Sequence, residues 1–234
     1  MVKTQAPLSS IPFLVFDETL FISKRSLFIF RAICLSLYLV AFAFNSYIDG
    51  FFDSFKFLTS WGMHFVGVYT AIVVIGYFKK LNKGWKRFAN ILFETAFAYQ
   101  LLITAFFWVF IYPHLKAKYE NNLPEWINTL YLHGFCLFQV YYEYCFNTIL
   151  IKAKDFYYLV SIGCIYMVLN YLYTINIEPV YPVMTFKDNV TYIYIVVAIT
   201  AVIIHFLYGA LIGRLFKKKQ VVELENRMMK TLKF

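Results

Sequence analysis

The sequence predicts an all-α fold, a polytopic membrane bundle of six transmembrane helices, and three observations carry that prediction. The chain of 234 residues is 61% hydrophobic and 15% charged, against roughly 45–50% apolar and about 25% charged in soluble domains. Six long apolar stretches can be cut from it, over residues 27–48, 57–78, 88–112, 127–150, 156–174 and 190–213. A helix needs about 20 such residues to cross about 30 Å of hydrocarbon. Seventeen of the 22 basic residues then fall at the two chain ends or in gaps two and four. That alternation is the positive-inside pattern, with both termini on the cytosol-like side. Barrel strands are excluded, because they run to about 10 residues of alternating polarity.

The elements follow in order. Residues 1–26 form an N-terminal interfacial segment with Lys3, Lys24 and Arg25. They lack a compact apolar core followed by a small-residue cleavage site, so the first span serves as its own insertion signal. The six spans make one transmembrane domain over 27–213, with short gaps that force neighbouring helices antiparallel. Gap two carries Lys79, Lys80, Lys83, Lys86 and Arg87, and gap four carries Lys152 and Lys154. Gaps one, three and five hold only Lys56, Lys116, Lys118 and Lys187. Gap three opens with Pro113 and contains Asn121, Asn122 and Pro124, which should stop one helix and delay the next. In gap five, Glu178-Pro179-Val180-Tyr181-Pro182 forces another break. The tail, 214–234, is basic. It reads as a surface helix with Val221, Leu224 and Met228 on one face.

The net charge of +9 is what a nucleic-acid binder shows. Here the charge hugs span ends, so orientation and anionic lipid headgroups account for it. The expected partners are therefore membrane lipids, and other membrane-protein subunits, but not nucleic acid. Cys34, Cys136, Cys145 and Cys164 all lie within spans and form no CxxC pair, which argues for packing over a disulfide framework or zinc. His64, His133 and His205 stand on different spans without an HExxH string, so no metal is expected. No glycine-rich nucleotide motif is present, and no cofactor is expected.

Charged residues within spans are expensive and are functional candidates by default. Arg31, Glu94 and Glu143 lie about 6–10 Å deep from the basic side at 1.5 Å per residue. A structural ion-pair cluster is the main reading, with a proton or substrate path as the other. The opposite side holds Thr59 in span two and His133 in span four. A hydroxyl needs a nearby base to become a nucleophile, and neutral histidine is the usual choice. The two enter from one side at shallow depth, so they could meet. The plainer reading is a threonine bonded to a backbone carbonyl and a solvated histidine.

At these residues the chain resembles the androgen-induced gene family of six-span membrane proteins. Lys56-Phe57-Leu58-Thr59 is similar to the start of the family's second span. Ala105-Phe106-Phe107-Trp108, Pro124-Glu125-Trp126 and His133-Gly134 resemble its path into span four. Val180-Tyr181-Pro182 and Phe206-Leu207-Tyr208 resemble its fifth gap and last span. The resemblance implies a threonine hydrolase of fatty-acid esters of hydroxy fatty acids, with Thr59 as nucleophile and His133 as base. This chain has Leu132 where the family has Asn, Cys136 where it has a second His, and Gly213-Arg214 where it has Gly-Glu. Those departures keep a second class open, a non-catalytic accessory subunit of a multi-subunit membrane complex such as a respiratory assembly. The membrane is an endomembrane or the mitochondrial inner membrane on either reading.

Overall fold

A computed structural model describes residues 19, 21–48, 50–120, 122–181 and 184–217. The N-terminal segment, apart from Thr19 and the stretch from Phe21, and the surface helix expected in the tail lie outside these residues. Among them the chain is all-α, with one antiparallel bridge between Thr19 and Asn147 in place of any sheet.

Six helical rods result: α1 (Lys24–Ile48), α2 (Leu58–Phe78), α3 with α4 (Lys83–Phe106 and Tyr112–Glu120), α5 with α6 (Leu123–Leu130 and Cys136–Phe146), α7 (Phe156–Asn176) and α8 (Asn189–Ile212). Five of the rods are long and apolar enough to cross a membrane, at 21 to 35 residues. The rod α5–α6 is not among them. Its moderate hydropathy reflects His133, Gln139 and Glu143, all of which it turns inward and buries.

Two boundaries differ from the sequence reading, and each difference has a physical cause. Pro113 does not stop its helix. A π-turn over Phe107–Ile111 links α3 to α4 without a break. The widened turn moves the preceding carbonyls away from the proline ring, which relieves the usual clash. The real break is at Asn122, whose side chain accepts from the Glu125 amide and caps α5 ahead of Pro124. The fourth span, read as 127–150, leaves the helix after Phe146. Residues from Asn147 to Ile151 run as buried, non-helical backbone, which is tolerable in an apolar setting only where protein satisfies its polar groups.

Rod α3 is the axis of the bundle. Phe93, Ala96 and Phe97 of α3 meet Tyr69 and Val73 of α2, Val140 of α6 and Phe206 of α8 in one buried core. Small residues let the backbones approach. At Gly209 of α8 a Cβ would lie 2.5 Å from Phe97 and 2.7 Å from Ile151, so only glycine fits.

The two ends of the bundle differ in charge, as the sequence pattern requires. At one end Tyr77 Oη donates to the Lys24 carbonyl at 2.7 Å, Arg87 pairs with Asp155 and Lys217 joins the stretch after Asn147. At the other end Lys56 lies 3.3 Å from Tyr173 Oη and 3.8 Å from Glu178. There Asp188 caps α8, and the Thr191 amide holds its carboxyl below the usual carboxylate range.

Candidate functional site

The expected charge cluster is two clusters. Arg31 and Glu143 form a bidentate pair, Nε to Oε1 at 2.7 Å and Nη2 to Oε2 at 2.8 Å. Tyr69 Oη and Asn147 Nδ2 donate to the same carboxylate at 3.0 and 3.3 Å. Both charges are sealed, at 0% and 1% exposure. Glu94 does not join them. It lies toward the basic end, where it accepts from the Lys152 amide at 3.4 Å and sits beside the Arg87–Asp155 pair. Equal depth along different helices did not mean equal azimuth: Glu94 faces the turn before α7, and Glu143 faces α1.

A further buried charge lies at Lys217. The Lys217 ammonium donates to the Tyr144 and Ile149 carbonyls at 2.7 and 2.8 Å and to Asn147 Oδ1 at 3.1 Å. All three of its protons are used, and it pins the non-helical stretch that follows α6.

Thr59 and His133 are both among the residues of one cavity lining. The cavity is apolar, of about 380 Å³ at the less basic end, within the usual range for small-molecule sites. The cavity runs from Thr59, His133 and Tyr181 down between α7 and α8 to Phe156 and Val202. Both of these helices lean on α3 and hardly touch each other. Val160 and Ile199 line the cavity and are also exposed on the outer surface, so it opens sideways between α7 and α8.

His133 is placed by a second π-turn, Tyr131–Phe135, which faces the first. The His133 ring stacks on Phe107 with centroids 3.5 Å apart and planes 9° apart. Trp108 Nε1 donates to the His133 carbonyl at 2.9 Å. π-Turns occur mostly as single turns at functional sites, and here two lock together at the height of the cavity. The Nδ1 of the imidazole is buried without a hydrogen-bond partner.

Thr59 is the second residue of α2. The first amides of a helix have no partner within it. Leu58 N–H is taken by Tyr181 Oη at 2.9 Å and Tyr166 Oη at 3.0 Å. Ser60 and Trp61 N–H donate to the Phe57 carbonyl. Among the described residues the Thr59 N–H has no acceptor, and no hydrogen bond joins its hydroxyl to His133. Two other histidines are engaged elsewhere: His64 Nδ1 with Tyr38 Oη at 3.0 Å and His205 Nε2 with Tyr141 Oη at 2.6 Å.

The cavity floor rests on a crossing of α3 and α7. Tyr99 Oη donates to the Leu159 carbonyl at 3.0 Å, and a Cβ on Gly163 would lie 2.4 Å from that oxygen. Gly163→Ala is expected to push Tyr99 off Leu159 and to cost about 1–3 kcal/mol, the range for overpacking. Thermal unfolding in detergent measures it. Comparison of the chain with protein-family models, curated proteins and solved structures finds no match.

Proposed function

We propose that the protein is a six-span membrane hydrolase that takes a long-chain ester from the bilayer and cleaves it with Thr59 and His133. The observation that supports this best is the cavity itself. It is apolar along its length, open to the side, and lined by both Thr59 and His133. An acyl chain would lie between α7 and α8 and present its ester at the N-terminus of α2. The same chemistry is what the resemblance to the androgen-induced gene family implies, with fatty-acid esters of hydroxy fatty acids as substrate.

The steps balance as follows. A ring nitrogen of His133 takes the Thr59 proton as Oγ1 bonds to the ester carbon, and the carbonyl π pair moves onto oxygen. Collapse breaks the bond to the alkoxy oxygen, which leaves with the proton from His133. Water then repeats the sequence on the acyl-threonine and releases the fatty acid. A base within hydrogen-bonding reach is needed at both stages.

The other reading is an accessory subunit that holds a lipid permanently. It draws on the missing hydrogen bond between Thr59 and His133, although such contacts often tighten only when substrate binds. One experiment separates the two. Purified full-length protein in lipid nanodiscs should release fatty acid from a hydroxy-fatty-acid ester. Thr59→Val, which keeps the shape and removes the hydroxyl, should abolish that release. Absence of turnover by the wild-type chain, with a lipid co-purifying in the cavity, would decide for the accessory subunit.

A further inference from the structure

The cavity between α3, α7 and α8 has a floor, and the helices that line it give its depth. Along α7 it is lined from Phe156 to Met167, which at 1.5 Å per residue is about 16 Å. Along α8 it is lined from Ile195 to Ile203, about 12 Å by the same rise. One leaflet of hydrocarbon is half of about 30 Å, so the cavity is about one acyl chain deep. Its volume agrees. A methylene group takes roughly the space of a water molecule, about 30 Å³ in the liquid. The cavity of about 380 Å³ then holds about 12 or 13 of them, and a second chain does not fit.

The floor is closed where α7 begins. Tyr99 Oη donates to the Leu159 carbonyl at 3.0 Å. The Phe156 ring tilts on Phe206 with centroids 5.7 Å apart. The turn before α7, Ala153–Asp155, touches α8, so the two helices converge here and part only above. Leu159 and Val202 are buried at this depth, whereas Val160 and Ile199 at the sideways opening are exposed. The polar groups sort to the other end, where Thr59, His133 and Tyr181 line the cavity. The one hydroxyl at the floor, that of Tyr99, is spent on Leu159, so the floor suits a methyl end.

A chain that enters the cavity leaves one hydrocarbon for another. Lipid tails are as apolar as the lining, so burial alone gives no net attraction. The difference between ligands then lies in packing. A short chain leaves lining atoms without contacts. An overlong one presses on the floor and must bend.

We infer that the floor of Phe156, Leu159 and Val202, braced by Tyr99, selects the ligand by length. The occupant is a single acyl chain of about 12–14 carbons, methyl end down, with its carbonyl at the level of Thr59 and His133. This rests on the hydrolase reading for what happens at the carbonyl, but the selection of length needs no turnover. On that reading the acyl half of the ester enters the cavity, and the hydroxy fatty acid stays outside as the leaving group.

The test uses the full chain in lipid nanodiscs and two series that run from octanoyl to eicosanoyl. One is hydroxy-fatty-acid esters that differ in acyl length. The other is ¹³C-carbonyl methyl ketones, which cannot be hydrolysed. Turnover and ketone occupancy are both expressed per mole fraction in the bilayer, because longer chains partition more. Both should peak at about 12–14 carbons, with kcat/KM lower by about tenfold or more at eicosanoyl. Phe156→Ala lowers the floor and should move both peaks up by about two to four carbons. Val202→Phe raises it and should move them down by about as much. General loosening of the fold does not give opposite shifts, and ketone binding at the new length shows that each variant is folded. Turnover with a level profile, or with a peak that neither variant moves, overturns the inference and leaves the hydrolase, the tail then leaving through the sideways opening. No turnover, with a ketone peak that moves with the floor, removes the hydrolase and leaves the length selection of a lipid-holding site. Neither turnover nor ketone occupancy removes both.

Discussion

Replacing Arg31 by leucine is expected to destabilise the bundle by about 3–5 kcal/mol, the usual cost of stranding one partner of a buried ion pair. Arg31 makes two short contacts to Glu143, and neither charge reaches solvent. Without the guanidinium, Glu143 keeps only the neutral donors Tyr69 and Asn147. These satisfy lone pairs but do not balance a charge. The double variant Arg31→Leu with Glu143→Leu should recover a substantial part of the loss, because a matched apolar pair strands nothing. Unfolding by SDS titration in mixed micelles measures both. A single-variant loss below about 1 kcal/mol would show that the pair is solvated in a way its burial does not suggest.

Lys217→Met is expected to cost about 3 kcal/mol and to loosen one stretch of chain specifically. Hydrogen bonds to a charged group are worth about 1.5–3 kcal/mol each, and losses around one ammonium do not add. Here three oxygens, two of them backbone carbonyls, depend on a single side chain. Their stretch has no helical bonds to fall back on. Amide exchange at Ile149 and Ile151 should therefore quicken far more than exchange in α2 or α3. Lys217→Arg should not restore it, since a flat guanidinium fork cannot serve three oxygens gathered around a point. Uniform quickening throughout the bundle would mean that Lys217 supports the fold generally and does not pin this stretch.

The sequence made the rods legible because continuous apolar runs between basic gaps have few other solutions. Arg31, Glu94 and Glu143 were legible as one candidate cluster for a similar reason: a charge inside an apolar span must find a partner. What stayed hidden depends on azimuth and on single-residue shifts in helical register. Glu94 has the right depth to join Arg31, but it points toward Asp155, on a turn where sequence shows only a charged gap. The π-turn at Phe107–Ile111 adds one residue to a turn without any residue type that announces it, so Pro113 reads as a stop. Lys217 looked like the start of a basic, lipid-facing tail and is instead buried at 5% exposure. Thr59 and His133 were singled out as residues, and the resemblance gave them roles.

The sideways mouth of the cavity between α7 and α8 bears on how any ligand is delivered. A molecule that reaches Thr59 by that route is drawn from a two-dimensional solution, so its effective concentration is its mole fraction among the surrounding lipids. Diluting the assay buffer should leave occupancy unchanged, whereas adding inert lipid at fixed ligand should lower it in proportion. An apparent KM quoted in molar units would then be a property of the nanodisc recipe. Compounds that compete would be ranked by how they partition into the bilayer as much as by how they fit the cavity.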